Sequence, residues 1–128
     1  MSHGHPHKGR TGLDRIRHAT GHSARGLRDA YRTESAFRQE AWLAAVMLPA
    51  ALWLGRDWVE VALLAGSVML VLVVELLNSA VETTVDRISL DHHDLSRRAK
   101  DIGSAAVGLS LLACGGIWAA ALWHRFGA

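Results

Sequence analysis

Cysteine is almost missing from this sequence of 128 residues, since Cys114 is the single one. An intrachain disulfide is therefore excluded, and Cys114 is expected to act as a small hydrophobic residue. Two signatures of soluble nucleotide-binding proteins are also absent. The chain has neither the phosphate loop G-x-x-x-x-G-K-[ST] nor the glycine loop, H-R-D and D-F-G set of protein kinases. Any phosphate site would have to be assembled from separate side chains.

Apolar residues, in contrast, make up half of the chain and lie in three blocks: Ala41 to Gly55, Val61 to Val74 and Ile102 to Trp123. A helix needs about 20 apolar residues to span a bilayer. The second block covers only about 21 Å of a core roughly 30 Å thick, so its helix must carry Glu75 into or near the apolar layer. Rather than a soluble helical bundle, we predict an all-α membrane protein with three transmembrane helices, at about 36–55, 59–87 and 97–124.

Lysine and arginine are distributed unevenly around these blocks. Residues 1–33 contain seven of the fourteen, and the segment between the second and third blocks contains four. The connection between the first two blocks contains one, and so does the C-terminal segment. Positive charge is retained on the cytoplasmic side of a membrane. We therefore predict a cytoplasmic N-terminus, a cytoplasmic second connection and an external C-terminus.

The N-terminal region divides into a polar tail, residues 1–12, and an amphipathic helix at about 13–33. Apolar residues recur at helical spacing in this helix while arginines occupy its other faces, which is typical of a helix lying on an anionic membrane surface. We expect the tail to be flexible. Its three histidines are possible metal ligands, but nothing else in the sequence builds a metal site around them. The polar and basic start also predicts no cleaved secretory signal.

The helix that contains the second block carries a polar stripe. At about 100° per residue, four side chains fall within an arc of roughly 80°: Glu75, Asn78, Glu82 and Asp86. Polar residues inside membranes can simply fasten helices together. An acidic residue costs roughly 3 kcal/mol near the bilayer centre, however, so two carboxylates on one stripe favour a functional site. We place Glu82 near the cytoplasmic surface and Glu75 about two turns deeper.

The spacing of the two glutamates limits what they bind. Glu75 and Glu82 lie about 10.5 Å apart along the helix axis, too far for both to ligate one Mg²⁺, whose oxygen ligands lie about 2.1 Å away. A metal at this site needs a donor from elsewhere in the chain. For any one polar residue at the predicted cytoplasmic surface, a solvated side chain is the simpler interpretation. If they converge, five are candidates for a phosphate site: Arg15, Glu34, His93, Lys100 and Asp101.

Three segments carry a likeness to known proteins: ESAFRQE (34–40), ELLNSAVETTVDRIS (75–89) and RAKDIGSAAV (98–107). In order and spacing they resemble the bacterial membrane diacylglycerol kinase family, and the likeness runs from about Leu13 to Phe126. The resemblance implies an ATP- and Mg²⁺-dependent lipid kinase that phosphorylates the free hydroxyl of diacylglycerol to phosphatidic acid, in phospholipid turnover. It also implies a homotrimer in the bacterial inner membrane, with a surface helix, three transmembrane helices per subunit and active sites shared between subunits.

The resemblance implies roles residue by residue. Glu75 resembles the general base of the family and Asn78 its companion, while Glu34 and Glu82 resemble the metal ligands. Nine positions correspond to nucleotide-binding residues: Arg15, His22, Glu34, Glu82, Asp91, His92, His93, Lys100 and Asp101. Ten correspond to lipid-substrate-binding residues: Arg15, Arg28, Phe37, Arg38, Gln39, Glu40, Trp53, Glu75, Ser104 and Trp118. The chain departs from the family at two positions, because the family often has tyrosine in place of His22 and another aromatic residue in place of His92.

Two other functions are compatible with the same residues. An undecaprenol kinase uses the same catalytic frame on a polyprenol, although FRQE and GSAAV favour diacylglycerol as the acceptor. In a small non-enzymatic membrane subunit, the polar stripe would only fasten helices together. The expected partners are ATP, a lipid alcohol, membrane lipids and further copies of this chain, and no nucleic acid is expected.

Overall fold

The computed structural model describes residues 11–127, which form four helices joined by short connections. The helices are α1 (Gly12–Thr33), α2 (Ser35–Leu54), α3 (Trp58–Ile88) and α4 (Asp94–Phe126). The prediction of an all-α protein is confirmed for this part of the chain. Residues 1–10, most of the predicted flexible tail with its three histidines, lie outside the described residues.

α3 is a single uninterrupted helix that contains both the second apolar block and the polar stripe. Its 31 residues correspond to about 46 Å, more than the roughly 30 Å of a bilayer core. Asp57 caps its start, with Oδ1 accepting a hydrogen bond of 2.8 Å from the Glu60 amide. The helix is therefore long enough to cross the apolar layer and to carry its polar half to the surface.

α4 runs back along α3, and the two helices form the most extensive contact between elements of the structure. The N-cap of α4 is His93, whose Nδ1 accepts a hydrogen bond of 3.0 Å from the Leu95 amide. Because of this cap, α4 begins at Asp94, before the predicted start near residue 97. Residues of the antiparallel pair meet along its length: Asp86 with Lys100, Asn78 with Gly103, Ser67 with Cys114 and Leu64 with Trp118.

Within the described part of the chain, α3 and α4 are each long and apolar enough to cross a membrane. Only 28% and 17% of their most apolar stretches is buried inside the chain. A core helix of a soluble protein is buried over most of its apolar surface, so these two helices indicate a membrane protein. α2 differs from them, because Arg38 and Glu40 leave only residues 41–54 of it uncharged. Its membrane crossing stays a prediction.

The apolar core lies at the end of α3 that is opposite to the polar stripe. Four residues form it: Ala51, Leu54, Leu64 and Ala121. Trp118 packs against this core and donates its Nε1–H to the Leu64 carbonyl at 3.3 Å and to Ser67 Oγ at 3.2 Å. Arg125 donates to the Leu54 carbonyl at 3.1 Å and ties the end of α4 to the end of α2. This end of the helices is closed by packing and by hydrogen bonds.

Gly55 makes the short connection from α2 to α3 possible. Its amide donates to the Ala51 carbonyl at 2.9 Å and so continues the helical bonding of α2. A Cβ at this position would overlap Val61 Cγ2 and would lie 2.9 Å from the Val61 nitrogen. Only glycine therefore lets the two helices approach this closely at the turn.

α1 is joined to the other helices mainly through the start of α2. Ala30 is the one buried residue of this helix. Near the end of α1, Tyr31 is held by two side chains of α2: Arg38 donates to its carbonyl at 2.9 Å, and Trp42 donates to its hydroxyl at 3.0 Å. Several large apolar side chains of α1 are exposed, namely Leu13, Ile16 and Leu27. This exposed apolar surface is what the predicted membrane-surface helix requires.

Candidate active site

The polar stripe of α3 faces α2 and α4, and its deepest carboxylate is buried. Glu75 is 5% exposed and Ser79 is 8% exposed, whereas Asn78 and Glu82 are half-buried. Asn78 lies about one turn from each glutamate, and its Nδ2 donates to Glu82 Oε1 at 3.3 Å. The stripe thus runs from a buried carboxylate to a more accessible one, with an amide oriented between them.

Two further carboxylates, from α2 and its N-terminal boundary, lie within electrostatic range of Glu75. Glu34, the residue between α1 and α2, repels the negative charge of Glu75, and Glu82 does the same. Glu75 in turn repels the negative charge of Glu40 in α2. Like charges repel strongly where little water screens them. The fold therefore gathers four carboxylates that a cation or bound protons would stabilise.

Three buried polar atoms near Glu75 have no hydrogen-bond partner among residues 11–127: Glu40 Oε2, Asn78 Oδ1 and Ser79 Oγ. Buried polar groups are normally paired, and an unpaired one costs about 1–3 kcal/mol. If the stripe only fastened the helices of one chain, these atoms would bond across to neighbouring helices. Asn78 Oδ1 packs against Gly103, but the lack of partners for Glu40 Oε2 and Ser79 Oγ favours a site for a ligand over a purely structural stripe.

A cleft of about 330 Å³ opens between the end of α3 and the start of α4. Five of the residues predicted to bind nucleotide line it: Asp91, His92, His93, Lys100 and Asp101. Lys100 links the two helices, with Nζ 2.7 Å from Asp86 Oδ1, and Arg97 pairs with Asp101 at 2.8 Å. The cleft therefore holds two cations and two imidazoles, which can donate to phosphate oxygens. It also holds three carboxylates, Asp86, Asp91 and Asp101, and two of these already pair with the cations.

Two residues of this cleft, Asp86 and Arg97, are not among the site residues predicted from the sequence. The signal for Asp86 is its position on the polar stripe, four residues after Glu82. Arg97 gives no signal, because a solvated arginine is ordinary at a membrane surface. Through their ion pairs, these two residues orient Lys100 and Asp101 at the cleft.

A second cleft, of about 660 Å³, separates α1 from α3. Glu34, Ser79 and Thr83 are among its lining residues, so the cleft leads from the α1–α2 boundary to the polar stripe. Three predicted binding residues of α1 are exposed and line neither cleft: Arg15, His22 and Arg28. His22 Nδ1 is hydrogen-bonded to Arg25 Nη2. Within one chain, these three residues therefore lie outside both clefts.

Five of the predicted lipid-binding residues lie in the first turns of α2 or on α4. In the first turns of α2, Phe37 is buried, Arg38 is half-buried and Gln39 is exposed. Glu40 lines an apolar cleft of about 70 Å³ together with residues of α3 and α4. Ser104 is exposed on α4, next to the glycine that faces Asn78. At this volume the cleft is too small to hold an acyl chain, since ligand pockets are typically about 300–1,000 Å³.

The two tryptophans predicted to bind lipid lie at the opposite end of the helices. Trp53 is exposed and stacks on Phe126, with ring centroids 6.2 Å apart, and Arg125 lies over its ring at 5.2 Å. Trp118 is half-buried and hydrogen-bonded to α3. Both side chains therefore contribute to the packing of the end remote from Glu75.

The carboxylates fit Mg²⁺ in chemical kind, although they do not form a complete ligand set. Glu34 and Glu82 offer the oxygen donors that Mg²⁺ prefers. Over residues 11–127, no group of three or more His, Cys, Asp or Glu side chains is placed to hold a metal ion. Mg²⁺ usually binds through one or two carboxylates together with substrate phosphates. A site of two carboxylates is therefore sufficient when a nucleotide supplies the remaining ligands.

Comparison with known proteins identifies the family. The family model described as Prokaryotic diacylglycerol kinase matches residues 21–122. The chain is 48% identical over 117 residues to the diacylglycerol kinase of Escherichia coli strain K12, covering 91% of this chain and 96% of the relative. It is 50% identical over 117 residues to the diacylglycerol kinase of Pseudomonas aeruginosa, covering 91% and 95%, and 46% identical over 113 residues to that of Haemophilus influenzae, covering 88% and 96%. The resemblance carried by the three sequence segments is thus confirmed: the chain belongs to the prokaryotic diacylglycerol kinase family.

Proposed function

We propose that this chain is a diacylglycerol kinase, which transfers the γ-phosphoryl group of ATP to the free hydroxyl of diacylglycerol and yields phosphatidic acid and ADP. Membership of the family, and similarity to diacylglycerol kinases over 95% and 96% of their length, support this activity. The observation on the chain itself that carries the proposal is the buried Glu75 beside unpaired polar atoms, on a helix able to cross a membrane.

Glu75 acts as the general base in this proposal. The lipid hydroxyl oxygen bonds to the γ-phosphorus, the bond from that phosphorus to the β–γ bridging oxygen breaks, and the hydroxyl proton passes to Glu75. A buried carboxylate is suited to this role when it lies within hydrogen-bond reach of the hydroxyl. Ser79 is one turn away, and the lack of a partner for its Oγ among residues 11–127 supports a role in orienting the glycerol of the lipid.

The nucleotide occupies the cleft between α3 and α4 in this proposal. Lys100 and Arg97 offset the negative charge of the phosphates. His92 and His93 contact the nucleotide from the connection between the helices. Support comes from the convergence of these residues on one cleft at the end of α3 that Glu82 approaches.

Glu34 and Glu82 are the proposed Mg²⁺ ligands. When bound, the ion supplies charge neutralisation for the β- and γ-phosphates during transfer. Asn78 orients the Glu82 carboxylate through its Nδ2. The electrostatic repulsion of Glu75 by Glu34 and by Glu82 supports a cation near these carboxylates.

We also propose the membrane arrangement of the family for this chain. α2, α3 and α4 cross the bacterial inner membrane with the N-terminus in the cytoplasm and the C-terminus outside, and α1 lies on the inner surface. The distribution of lysine and arginine and the exposed apolar residues of α1 support this arrangement. Homotrimer assembly is part of this proposal and follows from the resemblance to the family. Arg15 and Arg28 line neither cleft of their own chain, which suits a site that a neighbouring subunit completes.

Phosphate transfer in mixed micelles tests the proposed function. The purified chain is given Mg-ATP with diacylglycerol or with undecaprenol, and the phosphorylated lipid is measured. We expect phosphorylation of diacylglycerol, and the loss of most turnover in Glu75→Gln. Glu60→Gln is the matched control, because Glu60 lies in the first turn of the same helix, away from the polar stripe, and this variant should retain the wild-type rate.

Each outcome of this assay has a distinct meaning. If neither lipid is phosphorylated by well-assembled protein, the kinase proposal fails and the non-enzymatic alternative is favoured. If undecaprenol is the strongly preferred acceptor, the assignment of diacylglycerol fails while the catalytic frame stands. If Glu75→Gln assembles normally and retains full turnover, Glu75 is not the base.

A further inference from the structure

Gly103 of α4 lies directly against the side chain of Asn78 in α3. A Cβ added at Gly103 would overlap Asn78 Oδ1 and would lie 3.2 Å from Asn78 Cγ, closer than ordinary van der Waals contact. The three other glycines of α4, at 108, 115 and 116, have open space at the same point, with nothing within 4 Å of an added Cβ. Of these four glycines, Gly103 is thus the one whose lack of a side chain makes room for a residue of α3.

The contact at Gly103 fixes which way the Asn78 amide points. Oδ1 of Asn78 is buried against Gly103 without a hydrogen-bond partner in the described part of the chain, while Nδ2 donates to Glu82 Oε1 at 3.3 Å. The amide is a rigid plane, so a displacement of Oδ1 also moves Nδ2. A hydrogen bond of 3.3 Å is already near the long limit of its range. A methyl group at Gly103 would therefore separate Asn78 from Glu82.

We propose that Gly103 is a positioning residue for phosphoryl transfer: the absence of its side chain lets the Asn78 amide occupy the orientation that holds the Glu82 carboxylate. This inference rests on the proposed function, in which Glu82 is a metal ligand. Residues that orient a metal ligand through a hydrogen bond typically change metal affinity or activity by about 10- to 100-fold when they are lost. Gly103 acts through Asn78 and does not touch the substrates.

The side chain that must yield to a new methyl group is the flexible end of Asn78, and no backbone atom is involved. Gly103→Ala is therefore expected to fold and assemble normally. Gly108→Ala is the matched control, because it makes the same change five residues later in the same helix, where an added Cβ meets open space. Both variants replace a helical glycine by alanine and gain the same helix propensity.

The first measurement is phosphate transfer from Mg-ATP to diacylglycerol in mixed micelles, as a function of Mg²⁺ concentration. We expect Gly103→Ala to lose about 10- to 100-fold in kcat or to need a correspondingly higher Mg²⁺ concentration for half-maximal rate. Gly108→Ala should match the wild-type protein in both quantities. Equal activity and equal Mg²⁺ dependence of the two variants would overturn the inference.

A second measurement does not depend on activity. In ¹⁵N-labelled protein in micelles, the side-chain amide signals of Asn78 are identified by their disappearance in Asn78→Asp. We expect these signals to shift in Gly103→Ala and to stay in place in Gly108→Ala, with no Mg²⁺ or nucleotide added. Unshifted signals in Gly103→Ala would refute the contact, whatever the assay shows. A wild-type protein without kinase activity but with shifted Asn78 signals in Gly103→Ala would instead refute the proposed function, and with it the role in phosphoryl transfer, while the contact between Gly103 and Asn78 would stand.

Discussion

His93 has two structural roles, as the N-cap of α4 and as part of the wall of the polar cleft, and substitution can separate them. Its Nδ1 accepts a hydrogen bond of 3.0 Å from the Leu95 amide, one of the amides that the start of a helix leaves without a partner. Loss of such a cap costs about 1 kcal/mol. We therefore expect His93→Ala to lower the free energy of unfolding by about 1 kcal/mol. His93→Asn should be as stable as wild type, because asparagine is a preferred N-cap.

Both substitutions at His93 remove the imidazole from the cleft in which the nucleotide is proposed to bind. A neutral hydrogen bond contributes about 0.5–1.5 kcal/mol, so the KM for ATP should rise roughly 2- to 10-fold in both variants. Stability is measured by denaturant unfolding in micelles, and KM by ATP titration at saturating diacylglycerol. His92→Asn is a useful control, since His92 lines the same cleft but does not cap α4. It should affect KM and leave stability unchanged.

The two measurements on His93 refute different steps of the reasoning. If His93→Ala unfolds at the same denaturant concentration as wild type, the cap does not stabilise α4. If His93→Asn keeps the wild-type KM for ATP, the imidazole does not contact the nucleotide, and His93 is a structural residue only. If His93→Asn is less stable than His93→Ala, the hydrogen-bond geometry described for the cap is wrong.

Three further predictions concern the rest of the fold. A double-mutant cycle of Ser67→Ala and Trp118→Phe should give a coupling energy of about 0.6 kcal/mol and no more than about 1.7 kcal/mol in micelle unfolding, as for other hydrogen bonds between membrane helices; zero coupling would contradict the bond. Gly55→Ala should destabilise the protein by about 1–3 kcal/mol in the same assay, because the added methyl group overpacks the turn. Gly66→Ala has open space at its Cβ and should not destabilise the protein. Equal stability of the two variants would contradict the tight turn. If three helices cross the membrane, Ala128→Cys in a protein without its natural cysteine should react with an impermeant maleimide added to intact cells. Reaction only after lysis would indicate another topology.

Much of the fold could be predicted because each long helix is encoded by its own apolar block. The polar stripe does not interrupt α3, since a helix satisfies its backbone hydrogen bonds internally whatever the side chains on one face. The start of α4 was less predictable, because histidine is not among the usual N-cap residues and the cap at His93 depends on local geometry. The membrane crossing of α2 stays a prediction, because Arg38 and Glu40 shorten the uncharged length of this helix.

The part of the site that lies on a single helix could be predicted from the sequence. Helical periodicity alone places Glu75, Asn78 and Glu82 on one face. The interaction of Glu40 with Glu75 and the contact of Gly103 with Asn78 depend on the register between helices. That register results from the packing of α3 against its neighbours, and a single sequence carries no direct signal of it.

The short connection between α3 and α4 has a consequence for the order in which the molecule assembles. Residues 89–93 are all that separates the two helices, so the entropy lost on closing this loop is small. The hairpin carries Glu75, Asn78 and Glu82 together with the polar cleft, and it can form as soon as both helices are inserted. Glu34 reaches the site only when the boundary of α1 and α2 docks on the hairpin. A folding intermediate would thus have the proposed general base in place before it gains the second proposed metal ligand, and it would be inactive until that last step.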